Sequence, residues 1–121
     1  MILLLDNYDS FTYNLAHSIK TVTNKKFDII RNDLITVEEC GKYDTIILSP
    51  GPGIPEEAGI LKPLIAAYKD SKNIFGVCLG CQAIGEVYGG ELGNLDTVFH
   101  GVSTTMQQTR DDELIFNGIE Q

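Results

Sequence analysis

Short apolar segments alternate with amphipathic segments four times along this 121-residue chain, and that alternation restricts the fold more than any other feature. The apolar segments are residues 1–5, 27–30, 45–48 and 73–77. Their length and their content of Ile, Leu and Val predict strands that are buried on both faces. Parallel strands need crossover connections, which the intervening segments supply as helices. The sequence therefore predicts an α/β protein with a doubly wound, mostly parallel sheet.

The segments between the predicted strands carry apolar residues three and four positions apart, which predicts helices. We expect helices over 11–22, 59–68 and 79–88, with a short helix or turn over 36–41. Ser10 is expected to cap the first helix, and Gly89-Gly90 to end the last. After that point a looser alternation predicts an antiparallel excursion over 91–109 and a helical turn over 111–116.

The charge and cysteine content exclude several classes of protein. Nine basic and 17 acidic side chains give a net charge of −8, so we expect no nucleic-acid partner and no membrane partner, because both attract basic surfaces. The first apolar run stops at Asp6, which is too short for a signal peptide, and no segment approaches the ~20 apolar residues of a membrane span. With three cysteines, we expect a cytoplasmic protein with free thiols and one domain over 1–121.

The most informative segment, Gly76-Val77-Cys78-Leu79-Gly80, lies between the fourth predicted strand and the last helix. It has the spacing of a nucleophile elbow, with Cys in place of Ser. Glycines are expected on either side of Cys78 because such a tight turn leaves no room for a Cβ. The helix N-terminus favours the thiolate, and the N–H of Leu79 would face an oxyanion. A buried cysteine at a closely packed strand–helix junction would show the same pattern.

A second loop follows the third predicted strand and reads Ser49-Pro50-Gly51-Pro52-Gly53. Its prolines restrict the backbone, and its glycines leave backbone N–H groups accessible to a carboxylate or an oxyanion. Taken alone, the segment is better interpreted as an ordinary turn. In a parallel sheet, the loops that follow the strands lie at one edge, so this loop and the elbow are expected to meet.

Taken in order, several blocks of the chain resemble the class I (triad-type) glutamine amidotransferases, which have a flavodoxin-like fold. The blocks are residues 6–15, 49–53, 76–83, 89–90 and His100-Gly101. The similarity extends from the first residue to about Gly101 and is greatest to the small subunits of anthranilate synthase and aminodeoxychorismate synthase. Each block is weak evidence alone, whereas the ordered set is specific.

The resemblance implies that Cys78 attacks the side-chain amide of L-glutamine, forming a γ-glutamyl thioester and releasing ammonia. It implies that the backbone N–H groups of Leu79 and Gly51 hold the oxyanion. Gly51, Pro52, Gly53 and Gln82 would bind the glutamine substrate. No cofactor and no metal is implied.

The same resemblance implies a partner, the chorismate-binding large subunit of a synthase that consumes the ammonia. The loop over residues 7–11 and its surroundings would meet this partner. Anthranilate synthase would place the chain in tryptophan biosynthesis, and aminodeoxychorismate synthase would place it in folate biosynthesis. The residues of this chain do not distinguish the two.

The chain departs from the family pattern in two places, and only the second is expected to affect activity. Cys81 stands where the subfamily usually has His, which creates a single CxxC that is weak evidence for zinc or for a redox dithiol. The family's His-Pro-Glu block, which supplies the catalytic base, does not occur in these 121 residues, and neither His17 nor His100 is expected to replace it. We therefore expect an amidotransferase domain that is incomplete at its C-terminal end, with an exposed sheet edge and weak or absent glutaminase turnover.

Two other functions remain open from the sequence. A catalytically incomplete partner-binding module would keep the fold and the docking loops without turnover. A small flavodoxin-like protein with an elbow cysteine could act as a redox sensor or on small carbonyl compounds. The loop over 49–53 and Gln82 argue against the second, because it has no need of a glutamine pocket.

Overall fold

A sheet of four parallel strands lies at the centre of the fold in a computed structural model that describes residues 1–93. The strands are β1 (Ile2–Asp6), β2 (Phe27–Arg31), β3 (Thr45–Leu48) and β4 (Asn73–Gly76). They are arranged in the order β2-β1-β3-β4, and every neighbouring pair is parallel. The predicted α/β class and parallel sheet are confirmed.

Residues 1–93 contain three α-helices: α1 (Thr12–Val22) joins β1 to β2, α2 (Leu61–Tyr68) joins β3 to β4, and α3 (Leu79–Val87) follows β4. Short 3-10 helices occupy Glu39–Lys42 and Pro55–Glu57. The predicted helical turn at 111–116 lies outside the described residues, as do His100 and nearly all of the predicted antiparallel excursion. No helix within residues 1–93 has both the length and the apolar character needed to cross a membrane.

The two faces of the sheet carry separate cores, because successive side chains of a strand point to opposite faces. Ile2 and Leu4 of β1 pack with Ala16 and Ile19 of α1 on one face. Leu3 and Leu5 point to the other face, where β3, α2 and α3 complete a larger core. All five residues of β1 are buried. Helices on both faces make the sheet doubly wound, as predicted.

The start of α1 differs from the prediction that Ser10 caps it. The N-cap residue is Phe11, no side chain caps the helix, and Ser10 is exposed. Carboxylates shape this turn instead: Asp6 Oδ1 accepts a hydrogen bond from Thr12 Oγ1 at 2.8 Å, and Asp9 Oδ2 accepts one from the Phe11 N–H at 2.8 Å. Asp6 can do this because it ends β1 and is itself buried.

The strand order determines where a ligand can bind. The chain runs from β1 to its neighbour β2 and then crosses back to β3, which lies on the other side of β1. The loops after β1 and β3 therefore diverge. Open α/β sheets bind ligands in the crevice formed at such a point, beyond the carboxyl ends of the strands. β4 lies at the sheet edge within the described residues, and half of the Phe75 side chain is exposed there.

Candidate active site

Cys78 occupies the sharp turn that joins β4 to α3 and is the N-cap residue of that helix. Its backbone angles are φ 50° and ψ −106°, in a region that residues with a side chain seldom adopt. Such a conformation costs on the order of 1–3 kcal/mol and persists only where the surrounding structure enforces it. The side chain is exposed, so the strained backbone presents the thiol to solvent at the helix N-terminus.

The two glycines beside Cys78 are required by close approach, as the sequence predicted. A Cβ on Gly76 would lie 2.5 Å from the carbonyl carbon of Gly80 and 2.6 Å from the Cys81 nitrogen. A Cβ on Gly80 would lie 2.6 Å from the Leu48 Cβ and 2.7 Å from the Leu48 oxygen. Contacts this short do not occur in proteins, so α3 can reach β3 and β4 only because both positions lack side chains.

One backbone hydrogen bond attaches the elbow to the sheet, and a second closes the turn of the elbow itself. The Val77 N–H donates to the Leu48 oxygen at 3.0 Å, and the Gly80 N–H donates to the Val77 oxygen at 3.0 Å. Within residues 1–93, the N–H of Leu79 has no hydrogen-bond acceptor. A free N–H in the first turn of a helix is a donor suited to an anion.

The loop after β3 brings Gly51, whose N–H is the second predicted oxyanion donor, close to the side chain of Leu79. A Cβ on Gly51 would lie 2.9 Å from Leu79 Cδ2 and 2.5 Å from the Asn7 oxygen. Gly51 therefore packs closely against both the loop after β1 and the first residue of α3. Its N–H also lacks an acceptor among the described residues.

The residues predicted to bind glutamine are accessible around this point. Pro52, Gly53 and Gln82 are exposed, the last of them in the first turns of α3. Gly53 has φ 75°, a conformation that glycine adopts without strain. The loop therefore exposes its backbone at Gly53, as its glycines predicted.

Sequence reasoning did not identify a polar network beneath this loop. Asn7, Asn32 and Ser49 are all buried, and each is the first residue after one of the strands β1, β2 and β3. Asn32 Nδ2 donates to Asn7 Oδ1 at 3.0 Å, and Asn7 Nδ2 donates to the Ser49 oxygen at 2.7 Å. The Asn7 N–H donates to Ser49 Oγ at 2.8 Å. An amide or hydroxyl directly after each apolar strand was the signal that could have revealed this asparagine network.

The loop expected to meet a partner is exposed only in part, since Asn7 is buried. Tyr8 has φ 64°, its hydroxyl donates to Asp33 Oδ1 at 2.6 Å, and the Arg31 guanidinium lies 4.8 Å from its ring centre. The hydrogen bond to Asp33 raises the pKa of the Tyr8 phenol. These contacts hold the partly exposed Tyr8 side chain at the carboxyl ends of the strands, where Cys78 also lies.

Large apolar side chains are exposed in all three loops that follow β1, β2 and β3. Tyr8 is 46% exposed, Phe11 62%, Leu34 68% and Ile54 49%. Because the carboxyl ends of parallel strands lie at the same end of the sheet, these four residues lie at the end that also carries Cys78, and we call them the apolar rim. An exposed apolar rim of this kind is typical of a protein-binding surface.

The remaining candidate side chains lie apart from Cys78. His17 is exposed on α1, which covers the opposite face of the sheet from α3, and His100 lies outside the described residues. Cys81 is exposed, whereas Cys40 is wholly buried, and burial raises the pKa of its thiol. In the part of the chain that the structure describes, no three acidic, His or Cys side chains are grouped to hold a metal ion.

Comparison with known families decides what kind of protein carries this elbow. The model of the family described as glutamine amidotransferase class-I matches residues 3–121. The chain belongs to this family. The match includes the elbow and the loop over residues 49–53, so the strained Cys78 lies in an amidotransferase domain.

Curated relatives agree with the family assignment. Anthranilate synthase component 2 of Lactococcus lactis is 44% identical over 118 residues, which are 97% of this chain and 58% of that protein. Its counterpart in Azospirillum brasilense is 48% identical, covering 83% of this chain and 56% of the relative. Aminodeoxychorismate/anthranilate synthase component 2 of Bacillus subtilis is 39% identical, covering 99% and 61%. The chain thus spans about three-fifths of the length of these amidotransferase relatives.

Proposed function

We propose that this chain is the glutamine-binding part of an amidotransferase subunit that releases ammonia from L-glutamine, with Cys78 as the nucleophile. One observation carries the proposal: the strained Cys78 stands at the N-terminus of α3, where Gly51 approaches the Leu79 side chain and neither residue's N–H has an acceptor within residues 1–93. Family membership supports the choice of glutamine as the substrate.

The proposed chemistry follows from these positions. Cys78 Sγ forms a bond to the side-chain amide carbon of glutamine, and the amide oxygen becomes an oxyanion that accepts hydrogen bonds from Leu79 and Gly51. Collapse of this intermediate breaks the carbon–nitrogen bond, and ammonia leaves after gaining a proton. Water then hydrolyses the thioester to glutamate. Pro52, Gly53 and Gln82 would orient the substrate.

Both halves of the reaction need a group that transfers protons. The departing nitrogen must be protonated, the attacking water must be deprotonated, and loss of such a group typically lowers the rate ~10²–10⁴-fold. His17 lies across the sheet, and the sequence holds no His-Pro-Glu block. We therefore propose that the 121-residue chain alone binds glutamine and reacts at Cys78 but turns over weakly or not at all.

The proposed partner is the chorismate-using large subunit of anthranilate synthase, which would take up the ammonia. The names of the Lactococcus and Azospirillum relatives support this choice. Aminodeoxychorismate synthase is the alternative, since the Bacillus relative carries both names. The apolar rim supports a protein partner at this edge, and Phe11 and Leu34 are its most exposed members.

Ammonia release from L-glutamine by the purified chain tests the proposal, with Cys78→Ala as the control. We expect little or no release alone, together with covalent labelling of Cys78 by a glutamine-analogue alkylator. Turnover that the control abolishes would refute the claim that this chain lacks a working base. Absence of both turnover and analogue labelling in the folded chain would instead favour a partner-binding module.

A further inference from the structure

Backbone hydrogen bonds fix the position of Asn32, which is one end of the asparagine network. The Asn32 N–H donates to the Asp6 oxygen at 3.0 Å, and the Asn32 oxygen accepts from the Ile60 N–H at 3.3 Å. A Cβ on Gly59 would lie only 2.8 Å from Asn32 Oδ1. The Asn32 amide is therefore enclosed between the end of β1 and the start of α2, with little freedom to reorient.

At Asn7, the network packs directly against Gly51. A Cβ on Gly51 would meet the Asn7 oxygen at 2.5 Å, the Asn7 Cβ at 2.7 Å and Leu79 Cδ2 at 2.9 Å. Asn7 and Leu79 thus both pack closely around the position that a Gly51 side chain would take. A displacement of Asn7 would change how the Gly51 N–H is aimed relative to the Leu79 N–H.

We propose that Asn32 is a positioning residue, which acts through Asn7 to fix the orientation of the Gly51 N–H relative to the Leu79 N–H. It is 5% exposed and need not touch the substrate to do so. The inference rests on the proposed function, because it concerns the two donors of that oxyanion hole. Small displacements matter there, since misplacing a catalytic group by about 1 Å can lower a rate by on the order of 10²-fold.

The hydrogen-bond pattern explains why an amide is needed at Asn32. Asn7 uses its Oδ1 toward Asn32 and its Nδ2 toward the Ser49 oxygen. In Asn32→Asp, the new carboxylate faces Asn7 Oδ1, and two acceptors repel each other. If the Asn7 amide turns over to donate to the carboxylate, its Oδ1 faces the Ser49 oxygen instead. Neither orientation satisfies all the groups, so Asn7 must move.

Two alkylation rates at Cys78, measured in the full chain by site-resolved mass spectrometry, test the inference. The chloromethyl ketone analogue of L-glutamine needs the pocket and the oxyanion donors, and its methylene carbon bonds to Sγ as chloride leaves. Iodoacetamide needs only an exposed thiol. We expect Asn32→Asp to lower the ratio of the two rates about 10- to 100-fold. Asn24→Asp, an exposed change beyond the far end of α1, should leave it unchanged.

Further readouts separate positioning from a general loss of structure. Wholly buried Cys40 should stay protected from iodoacetamide, because only unfolding exposes it. If Asn32→Asp exposes Cys40, the ratio of the two alkylation rates is measured in Asn32→Ala instead. That variant leaves Asn7 Oδ1 unpaired without introducing a second acceptor that repels it. An unchanged ratio in a folded Asn32 variant would overturn the positioning role while the proposed function stood. If wild-type Cys78 did not distinguish the L-analogue from its D-enantiomer, the proposed function itself would be refuted.

Discussion

Adding one methyl group at two glycines of α3 should change stability in opposite directions. Gly80 and Gly85 lie five positions apart in the same helix. A Cβ on Gly80 would lie 2.6 Å from the Leu48 Cβ and 2.7 Å from the Leu48 oxygen, whereas a Cβ on Gly85 meets nothing within 4 Å. The two alanine variants therefore share the same chemical change and differ only in the space around it.

The expected magnitudes follow from those contacts. Gly85→Ala should stabilise the fold by about 0.5–1 kcal/mol, because alanine favours the helix and restricts the unfolded chain. In Gly80→Ala the close neighbours are a backbone oxygen and a Cβ, which cannot rotate away, so α3 must shift from β3. Overpacking of this kind costs about 1–3 kcal/mol, which would lower the melting temperature by roughly 4–15 °C.

Urea and thermal unfolding followed by circular dichroism measure both variants. The analogue labelling rate at Cys78 should also fall in Gly80→Ala, since the shift moves the first turn of α3, and should be unchanged in Gly85→Ala. If Gly80→Ala were as stable as the wild type, the close approach of α3 to β3 would be incorrect, and with it the physical basis of the elbow.

Three further outcomes are expected. Burial and the hydrogen bond to Asp28 raise the pKa of Tyr43 to about 12 from its ordinary value of 10.0. Because the unfolded chain loses this proton at the lower pH, the free energy of unfolding should fall between those two pH values in urea titrations. Tyr43→Phe should remove that fall. Gly51→Ala places a Cβ 2.5 Å from a backbone oxygen of the neighbouring loop, which should slow analogue labelling of the elbow thiol on the order of 10²-fold, as for a lost oxyanion donor. Leu64→Ala, in the core, should lower the unfolding free energy by about 2–5 kcal/mol, whereas Leu34→Ala, which is 68% exposed, should change it by less than about 0.5 kcal/mol in the same titrations.

Most of the fold was predictable because its signals are local. The strand boundaries follow from short apolar runs, and the observed β3 coincides with the predicted segment. The glycines of the elbow were predictable for a steric reason that the structure bears out at Gly76 and Gly80. The start of α1 was predicted wrongly at Ser10, because a capping residue nearby in sequence was preferred over Asp6, which reaches the turn from the end of β1.

The asparagine network could not be predicted in the same way, because its contacts join residues far apart in the chain. Asn7 and Ser49 are 42 positions apart, and Asn7 and Asn32 are 25 apart. Nothing local at Asn32 indicates which group its amide will meet. Pairing of β1 with both β2 and β3 brings the three strand ends together, and only then does each buried amide find its partner.

Protection of Cys78 by L-glutamine tests the central claim most directly. A Cys81→Ser variant keeps two cysteines, of which Cys78 is exposed and Cys40 is wholly buried. We predict that L-glutamine slows iodoacetamide labelling of Cys78 saturably, while D-glutamine at the same concentration has no effect. A labelling rate that is the same with L-glutamine, with D-glutamine and with neither would contradict a glutamine site at this elbow.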